Sequence, residues 1–293
     1  MKNVWKRKLD VVVISDVHLG TYGCRAKELL NYLKTINPKV LILNGDFIDI
    51  WQFNKRFFPK SHMRVIKQIT SMLSKGTKVY YITGNHDEML RKFVGFQIGG
   101  LEIVNKLVLN LGVQKAWFFH GDVFDVTMKH SKWLAKLGGK GYDLLILINT
   151  FVNWISSLFG QGRISLSKKI KNSVKGAVKH INNFEETAAE IAIDNNYDYV
   201  VCGHIHQPQM RDIEIKGKGK VTYLNSGDWV ENLTSLEYRK GVWKQYFYNE
   251  DPLANSLNID DLLKEKGLNQ AGYKGKELFQ ELINEFQGLQ VKK

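Results

Sequence analysis

Five short stretches of this sequence share one design, in which an apolar run typical of a buried strand leads into Asp, Asn or His. They are Asp16-Val17-His18, Asn44-Gly45-Asp46, Gly84-Asn85-His86-Asp87, His120-Gly121-Asp122 and Gly203-His204-Ile205-His206. Ligands of α/β proteins bind beyond the carboxyl ends of the strands, so we expect these side chains to meet at one sheet edge. One Asp after a strand is usually a turn or cap residue. Five such stretches favour a metal site, with Asp46 as the candidate bridging carboxylate.

The spacing of the apolar runs predicts an α/β fold. Asp10–Ser15 and Val40–Leu43 are predicted to be buried strands on either side of a helix at Arg25–Ile36, which indicates a right-handed parallel unit. Further helices are predicted at His62–Lys75 and Asn182–Asn195, and further strands at Lys78–Thr83, Leu101–Leu109, Ala116–Phe119 and Tyr197–Cys202. Antiparallel strands are predicted at Gln209–Ile215, Lys220–Asn225, Ser235–Arg239 and Val242–Tyr248. The chain of 293 residues suits one large domain at 1–250, with a helical appendage at 251–293.

Seven side chains in these stretches offer nitrogen or oxygen donors to a metal: Asp16, His18, Asp46, Asn85, His120, His204 and His206. Seven donors are too many for one divalent ion, but they suit two ions roughly 3.5 to 4 Å apart that share a carboxylate. We expect a hydroxide between the ions to attack phosphorus in line, while the ions neutralise charge on the phosphoryl oxygens. Imidazole and carboxylate donors without cysteine favour manganese, iron or zinc over calcium, and manganese is our first choice.

His86 and Asp87 directly follow Asn85. His86 can act as a proton donor that a carboxylate holds in position, and Asp87 is the neighbouring candidate for that carboxylate. Asn-His-Asp on its own is typical of a helix cap, but among five related stretches the catalytic interpretation is favoured. Asp49 stays open between a position behind the metal ligands, an N-cap and a solvated carboxylate. The segment Asn225–Asp228 stays open between a closing loop near the site and a plain turn.

The net charge of +13 predicts an anionic partner, either nucleic acid, a phosphorylated substrate or an anionic membrane surface. Residues 126–180 hold ten Lys or Arg and one acidic residue, which gives them a net charge of +9. Within them, 144–159 is strongly apolar, with polar residues at helical spacing. We predict a helical lid insertion in which Phe151 and Trp154 line an acyl-chain pocket, while Lys168, Lys169, Lys171 and Lys175 contact the diphosphate or lipid head groups. The alternative is a core helix or a homodimer interface with solvated lysines.

The two cysteines, Cys24 and Cys202, are too few for a disulfide framework and favour free thiols in a reducing cytoplasm. The apolar run after the basic N-terminal residues is too short for a signal peptide, and no run reaches the roughly 18 to 20 residues of a membrane-spanning helix. We therefore expect a cytoplasmic protein that binds peripherally to the cytoplasmic face of the inner membrane.

The order Asp-x-His, Gly-Asp, Gly-Asn-His-Asp, His-Gly-Asp, Gly-His-x-His resembles that of the calcineurin-like metallophosphoesterases. The resemblance covers about residues 9–250 outside the insertion, and it implies a four-layer αββα sandwich. It also implies one ion held by Asp16, His18, Asp46 and His206, and a second held by Asp46, Asn85, His120 and His204. In the same way it makes His86 the proton donor and Asp87 the residue that orients it.

Within that family, the stretches DVHLG, GDFIDIW, HGDVFD and GHIHQP and the insertion after His120 resemble the UDP-2,3-diacylglucosamine pyrophosphatases of lipid A synthesis. Those enzymes cleave the diphosphate of a nucleotide-linked glycolipid to UMP and 2,3-diacylglucosamine 1-phosphate (lipid X), and the resemblance implies this reaction here. The chain carries Gly-Asn-His-Asp where the better-known members carry Gly-Asn-Arg-Asp. A His at that position is typical of general phosphoesterases.

Three other functions fit parts of the sequence. A soluble phosphomonoesterase or nucleotide phosphodiesterase would use the same metals and keep the insertion for dimerisation. A nuclease would explain the positive charge, but removing the +9 of the insertion from +13 leaves only +4, and no stacking platform is interleaved with it. A non-catalytic scaffold would not need seven converging donors.

Overall fold

The computed structural model describes residues 6–50, 58–124 and 184–256. The predicted lid insertion at 126–180 lies outside these ranges, together with its residues Phe151, Trp154, Lys168, Lys169, Lys171 and Lys175. The helical stretches that we predict in the appendage, beyond residue 256, also lie outside them. The division into a domain at 1–250 and an appendage at 251–293 therefore stays a prediction.

Twelve strands run through the described ranges: β1 (Arg7–Ile14), β2 (Ile36–Asn44), β3 (Lys78–Ile82), β4 (Gln97–Ile98), β5 (Leu101–Val104), β6 (Lys106–Leu111), β7 (Gln114–Phe119), β8 (Tyr199–Cys202), β9 (Gln209–Ile215), β10 (Gly219–Asn225), β11 (Thr234–Arg239) and β12 (Val242–Phe247). Seven of them form one sheet in the order β12-β11-β1-β2-β3-β5-β4. The other five form a second sheet in the order β6-β7-β8-β10-β9.

Helices cover the outer faces of the two sheets. The described ranges contain the helices α1 (Ala26–Thr35), α2 (Lys60–Leu73), α3 (184–194) and α4 (Pro252–Asn255), with 3-10 helices at Glu88–Phe93 and Tyr248–Glu250. In α2 the buried residues are His62, Val65, Ile69 and Met72, whose spacing of three and four places them on one helix face. That face packs on the first sheet, where α1 lies beside it.

Alternate side chains along the strands pack into three separate hydrophobic cores. In β1, Val12 packs in the core under α1 and α2, whereas Val11 and Val13 belong to the core between the two sheets. Successive strand residues point to opposite faces, so one strand contributes to both cores. In the second sheet Phe118 faces the first sheet, while Trp117 packs with the residues of α3. The layers are therefore helix, sheet, sheet and helix, which confirms the predicted αββα sandwich.

The predicted parallel unit is confirmed, because β1 pairs parallel with β2 and α1 connects them. The single strand predicted at Leu101–Leu109 is wrong. Residues 101–104 pair with β3 in the first sheet, the chain crosses at Asn105, and Lys106–Leu111 pairs with β7 in the second sheet. Apolar residues continue on both sides of Asn105 and Lys106, and no Gly or Pro separates them, so the sequence carries no clear turn signal at the change of sheet.

The strands after residue 208 form two hairpins in different sheets. The β9–β10 and β11–β12 pairs are antiparallel as predicted, but β10 also pairs parallel with β8, and β11 pairs antiparallel with β1. No helix among the described residues is long and apolar enough to cross a membrane.

The chain segment after β12 is tied to β1 by an ion-pair network. The guanidinium of Arg7 contacts Asp251 at 2.6 Å and Glu237 at 3.0 Å. It also lies over the rings of Tyr32 and Tyr246, at 5.9 and 5.2 Å from their centroids. Because both carboxylates are largely buried, this network holds residues 248–256 against the first sheet.

Candidate metal centre

The five polar stretches predicted from the sequence come together where the ends of both sheets meet. The Asp16 N–H donates to the Gly45 carbonyl at 3.1 Å, which joins the loops after β1 and β2. The Gly203 N–H donates to the His120 carbonyl at 3.0 Å, which joins the loops after β7 and β8. The His204 N–H donates to Asp16 Oδ2 at 3.0 Å, and this bond connects the two sheets.

The donor atoms fall into overlapping groups in which all ligand atoms lie within 4.8 Å of one another: Asp16, His18 and His206; His18, Asp46 and His86; and Asp46, His120 and His204. Asp16 Oδ1 lies 3.3 Å from His206 Nε2, and Asp46 Oδ2 lies 3.2 Å from His120 Nε2. Asp46 is shared by two of the groups. The structure thus brings six of the seven predicted donors, all but Asn85, into overlapping groups, and Asp46 links two of these groups.

Five of the predicted ligands have a left-handed backbone conformation. The φ angles are 52° at Asp16 and His18, 51° at Asp46, 67° at His204 and 54° at His206. Residues other than glycine adopt this region at a cost of roughly 1 to 2 kcal/mol each. Such strain persists where the surrounding structure imposes it, most often at functional sites. The loops therefore hold these side chains toward the cluster at the cost of backbone strain.

Glycines beside the ligands give the cluster its room. A Cβ at Gly84 would overlap the Asp46 carboxylate and lie 2.8 Å from His120 Cδ2. A Cβ at Gly45 would overlap the ring of His120, and Gly45 also has a positive φ of 81°. The Gly-Asp and Gly-Asn pairs in the sequence are thus explained by close approach, because a side chain at either glycine would occupy the space of a ligand.

Hydrogen bonds to the Nδ1 atoms orient the imidazoles. His120 Nδ1 donates to the Asn44 carbonyl at 2.9 Å. His18 Nδ1 lies 3.2 Å from Asp49 Oδ2, and His86 Nδ1 lies 2.8 Å from the same oxygen. An imidazole whose Nδ1–H is held by a carbonyl or carboxylate presents Nε2 to a metal or a substrate. Asp49, which is 1% exposed, therefore takes the position behind the ligands that the sequence left open.

The carboxylate beside His86 Nδ1 is Asp49, whereas the prediction named Asp87. Asp87 Oδ1 accepts from the Gly84 N–H at 2.6 Å, and Oδ2 accepts from the Phe47 N–H at 3.0 Å and the Tyr81 hydroxyl at 2.6 Å. Asp87 thus braces the loop that carries Asn85 against the loop that carries Asp46. Although His86 and Asp87 are adjacent in the sequence, Asp87 does not orient His86, because their side chains point in different directions.

The donor set fits divalent cations. Four buried donor atoms accept or donate no hydrogen bond among the described residues: Asp16 Oδ1, His18 Nε2, Asn85 Oδ1 and His120 Nε2. A buried polar atom without a partner is costly, and bound metal ions would satisfy these four. Mixed imidazole, carboxylate and amide donors without cysteine suit a borderline or hard divalent ion.

Carboxylates and imidazoles of the cluster shift one another's pKa values. Burial opposes ionisation of Asp46, but the charge of His120, whose Nε2 lies 3.2 Å from Asp46 Oδ2, outweighs burial and lowers the pKa of the carboxyl to about 2. Burial also opposes a charge on His206, yet Asp16 raises the pKa of that imidazole to about 9. For His86, the bond to Asp49 and the charge of Asp46 outweigh burial and raise the pKa. The Asp46 carboxylate is therefore ionised at neutral pH, as a metal ligand has to be.

Two elements that support the site were not assigned from the sequence. The loop at Asn225–Asp228 lies against the site, because the Ser226 hydroxyl is 2.6 Å from Ser15 Oγ and the Asn232 side chain bridges Asp228 and the His206 carbonyl. His62, one of the histidines outside the five stretches, is buried, and its Nδ1 accepts from the Gly20 N–H at 2.9 Å. Only tertiary contacts reveal either role.

Comparisons with known proteins agree with this geometry. Residues 9–208 match the model of the calcineurin-like phosphoesterase family. The chain is 23% identical to the UDP-2,3-diacylglucosamine hydrolase of Vibrio cholerae over 81% of this chain and 98% of that protein. It is 24% identical to the enzyme of the same name from Blochmanniella pennsylvanica, over 75% of this chain and 88% of that protein.

Among solved structures, the phosphoesterase Yfce from E. coli aligns with 82% of this chain and 93% of its own, at 15% identity and a TM-score of 0.39. The family match spans more than half of the chain and includes all seven predicted donors. The chain therefore belongs to the calcineurin-like phosphoesterase family, and it is a metal-dependent phosphate-ester hydrolase.

Proposed function

We propose that this hydrolase cleaves the diphosphate of UDP-2,3-diacylglucosamine to UMP and 2,3-diacylglucosamine 1-phosphate, with two divalent ions and manganese as the first choice. The observation that carries the two-ion part is the position of Asp46, which shares one group of donors with His18 and His86 and another with His120 and His204. The substrate is supported by the names of the relatives in Vibrio cholerae and Blochmanniella pennsylvanica.

In this proposal the seven donors divide between two ions. Asp16, His18, Asp46 and His206 would hold one, and Asp46, Asn85, His120 and His204 would hold the other. Bound ions of this kind neutralise charge on phosphoryl oxygens and lower the pKa of coordinated water. The residues supply geometry: Asp49 and the Asn44 carbonyl fix His18 and His120, and the braced loop fixes Asn85.

His86 is the proposed proton donor. Its Nδ1 is 2.8 Å from Asp49, so Nε2 is the atom that can reach a substrate, and the side chain is 25% exposed. Burial opposes a charge on the ring, but the bond to Asp49 outweighs burial and raises the pKa, which favours the protonated form that a proton donor needs. Asp49 would keep the ring in position and stabilise its charge.

We extend the proposal to the insertion at 126–180 on its sequence alone. Phe151 and Trp154 would contact acyl chains, and Lys168, Lys169, Lys171 and Lys175 would contact the diphosphate or anionic head groups. Burying an apolar side chain of this size contributes about 1.5 to 3 kcal/mol, and each lysine near an anionic surface adds roughly 1 kcal/mol. These contributions would support peripheral binding at the cytoplasmic face of the inner membrane.

A second candidate function is a soluble phosphomonoesterase or nucleotide phosphodiesterase with the same centre. The observation that favours it is His86, which stands where the better-known pyrophosphatases carry Arg. In that case the insertion would serve a homodimer instead of a lipid.

An assay of the manganese-loaded full chain separates the two candidates. Wild-type protein and the Phe151→Asp/Trp154→Asp variant are compared on the UDP-linked glycolipid, a UDP-sugar and p-nitrophenyl phosphate. Val113→Asp is the matched control, because Val113 is fully exposed on a hairpin. The lipid proposal predicts that the double variant loses activity on the glycolipid but keeps hydrolysis of p-nitrophenyl phosphate.

Other outcomes would count against the lipid proposal. Equal loss on both substrates would identify the insertion as structural core. Equal retention on both substrates would favour the soluble phosphoesterase. Failure of the wild-type protein to cleave the glycolipid, with good activity on the other compounds, would exclude the proposed substrate.

A further inference from the structure

A cleft of about 190 Å³ opens beside His120, next to the metal-ligand cluster. The side chains that matter in its lining are Thr83, Arg91, Asn105, Phe119, His120 and Asp122. A protein cavity of about 150 Å³ accommodates benzene, so this volume suits one six-membered ring. None of the residues other than His120 belongs to the predicted donor set.

The charges in the cleft offset each other. Arg91 Nη2 forms an ion pair with Asp122 Oδ2 and donates to the Gly84 carbonyl at 3.4 Å. The guanidinium has five N–H donors and the carboxylate has two oxygens, so both groups keep hydrogen-bonding capacity beyond this pair. Because the pair is neutral overall, the cleft does not favour a second phosphate. It favours a neutral group that both accepts and donates hydrogen bonds.

The remaining walls complete a site for a hydroxylated ring. The Thr83 hydroxyl donates to Asn105 Oδ1 at 3.0 Å, so the amide nitrogen is the donor that Asn105 can offer a ligand. Phe119 supplies an apolar wall and is held rigid by stacking on Trp117, with the ring centroids 4.2 Å apart. A few placed polar groups beside an aromatic surface are typical of small-molecule sites.

The cleft is positioned for a substituent of the scissile phosphorus. His120 belongs both to the donor group with Asp46 and to the wall of the cleft. Arg91 contacts the carbonyl of Gly84, the residue before the candidate ligand Asn85. A phosphoryl group at the centre therefore has the cleft within reach of one of its substituents.

We propose that this cleft is the subsite for a neutral hydroxylated ring, either a nucleoside or a sugar, that is joined to the scissile phosphorus. The proposal rests on the proposed function, since it presumes that the centre binds a phosphoryl group. Asn105 and Arg91 donate to the ring, Asp122 accepts from its hydroxyl groups, and Phe119 packs against it.

Competitive inhibition of p-nitrophenyl phosphate hydrolysis tests the subsite on the metal-loaded full chain. The inhibitors are UMP, N-acetylglucosamine 1-phosphate and inorganic phosphate, which carries no ring. The variants are Asn105→Ala and Arg91→Met, with Asn110→Ala and Lys92→Met as controls, because Asn110 and Lys92 are exposed neighbours outside the cleft. Asn105→Ala is included because Arg91→Met leaves the Asp122 carboxylate without its cation.

The subsite predicts that one ring compound loses inhibition by about tenfold in Asn105→Ala and about ten- to a hundredfold in Arg91→Met. The inhibition by inorganic phosphate should change much less, and the controls should behave like the wild type. Whether UMP or N-acetylglucosamine 1-phosphate responds identifies the ring. Unchanged inhibition by both ring compounds would overturn the proposal.

An equal loss for the ring compounds and inorganic phosphate would also overturn it, because Arg91 and Asp122 would then only clamp the two ligand loops together. Failure of the glycolipid assay leaves this test intact, since it uses neither lipid nor diphosphate. If p-nitrophenyl phosphate is not hydrolysed, titration calorimetry of the same three compounds gives the same comparison. The two proposals can therefore fail separately.

Discussion

Replacing Asp49 by Asn tests whether one buried carboxylate orients two imidazoles of the centre. Asp49 Oδ2 lies 3.2 Å from His18 Nδ1 and 2.8 Å from His86 Nδ1. The amide of Asn has nearly the same shape as the carboxylate, so Asp49→Asn removes the charge without creating a cavity. Any effect then comes from the lost charge and the lost acceptor oxygen rather than from repacking.

The size of the effect follows from the strength of the two hydrogen bonds. A hydrogen bond to a charged group contributes about 1.5 to 3 kcal/mol and one between neutral groups about 0.5 to 1.5 kcal/mol. Loss of the charge thus costs about 1.4 kcal/mol at each imidazole, which corresponds to about tenfold. We expect the ion held by His18 to bind about tenfold more weakly, and kcat to fall about tenfold through His86. Partners behind metal ligands commonly show effects of about ten- to a hundredfold.

Metal affinity is measured by competition with a chromophoric chelator, and kcat and KM are measured on p-nitrophenyl phosphate at saturating manganese. Asp212→Asn is the matched control, because Asp212 is an exposed carboxylate paired with Lys220 on the second sheet. Saturating metal should restore binding of the ion but leave the defect in kcat. Metal affinity and kcat both within twofold of the wild type would refute the orienting role of Asp49.

Three further predictions concern the other parts of the structure. Metal analysis after gel filtration should find about one ion fewer in both His206→Ala and His204→Ala, because these residues belong to different donor groups; loss of two ions in either would contradict the division. His86→Ala should keep its metals and lose about 10²- to 10⁴-fold in kcat, the range of general acid–base catalysis, whereas a defect confined to KM would indicate a phosphate contact instead. Arg7→Met should lower the free energy of unfolding at pH 7 by about 3 kcal/mol in denaturant titrations, since it leaves a buried carboxylate unpaired. Burial raises the pKa of Asp251, but the bond to Arg7 outweighs burial and the net shift is downward. The stabilisation by this ion pair is therefore present above the ordinary Asp pKa and is lost as the pH falls below about 4. An Arg7→Met variant as stable as the wild type at pH 7 would contradict this role of Arg7.

The position of the site could be predicted because it depends on local signals. An apolar run of strand length followed by Gly-Asp, Gly-Asn or Gly-His places the polar residue at the carboxyl end of a strand. Parallel pairing of β1, β2 and β3 then brings three of these ends together. The parallel pairing of β7 with β8 brings the other two together in the second sheet.

The partners behind the ligands could not be predicted, because they depend on how distant loops meet. Asp49 is three residues after Asp46, but its contacts with His18 and His86 arise only when three loops converge. Asn232 is 26 residues from His206, and its side chain reaches the His206 carbonyl at 2.8 Å.

Backbone strain and the crossing between the sheets could not be predicted from the sequence either. Glycine is the usual sequence indicator of a left-handed conformation, so Asp and His at the ligand positions do not predict it. At Asn105, the chain leaves one sheet for the other without a Gly or Pro to mark a turn, so the apolar pattern predicts one strand where the structure has two. In both cases the outcome is decided by packing rather than by local preference.

Metal content of wild-type protein and of Asp46→Ala tests the two-ion centre most directly. The full chain is loaded with manganese, passed through gel filtration and analysed by plasma emission, with the melting temperature recorded to confirm folding. The wild type should carry two ions per chain, and Asp46→Ala should lose both of them together with its activity, because Asp46 is shared by two of the overlapping donor groups and is the proposed bridge between the ions. A folded Asp46→Ala protein that keeps two ions and remains active would contradict the two-ion centre.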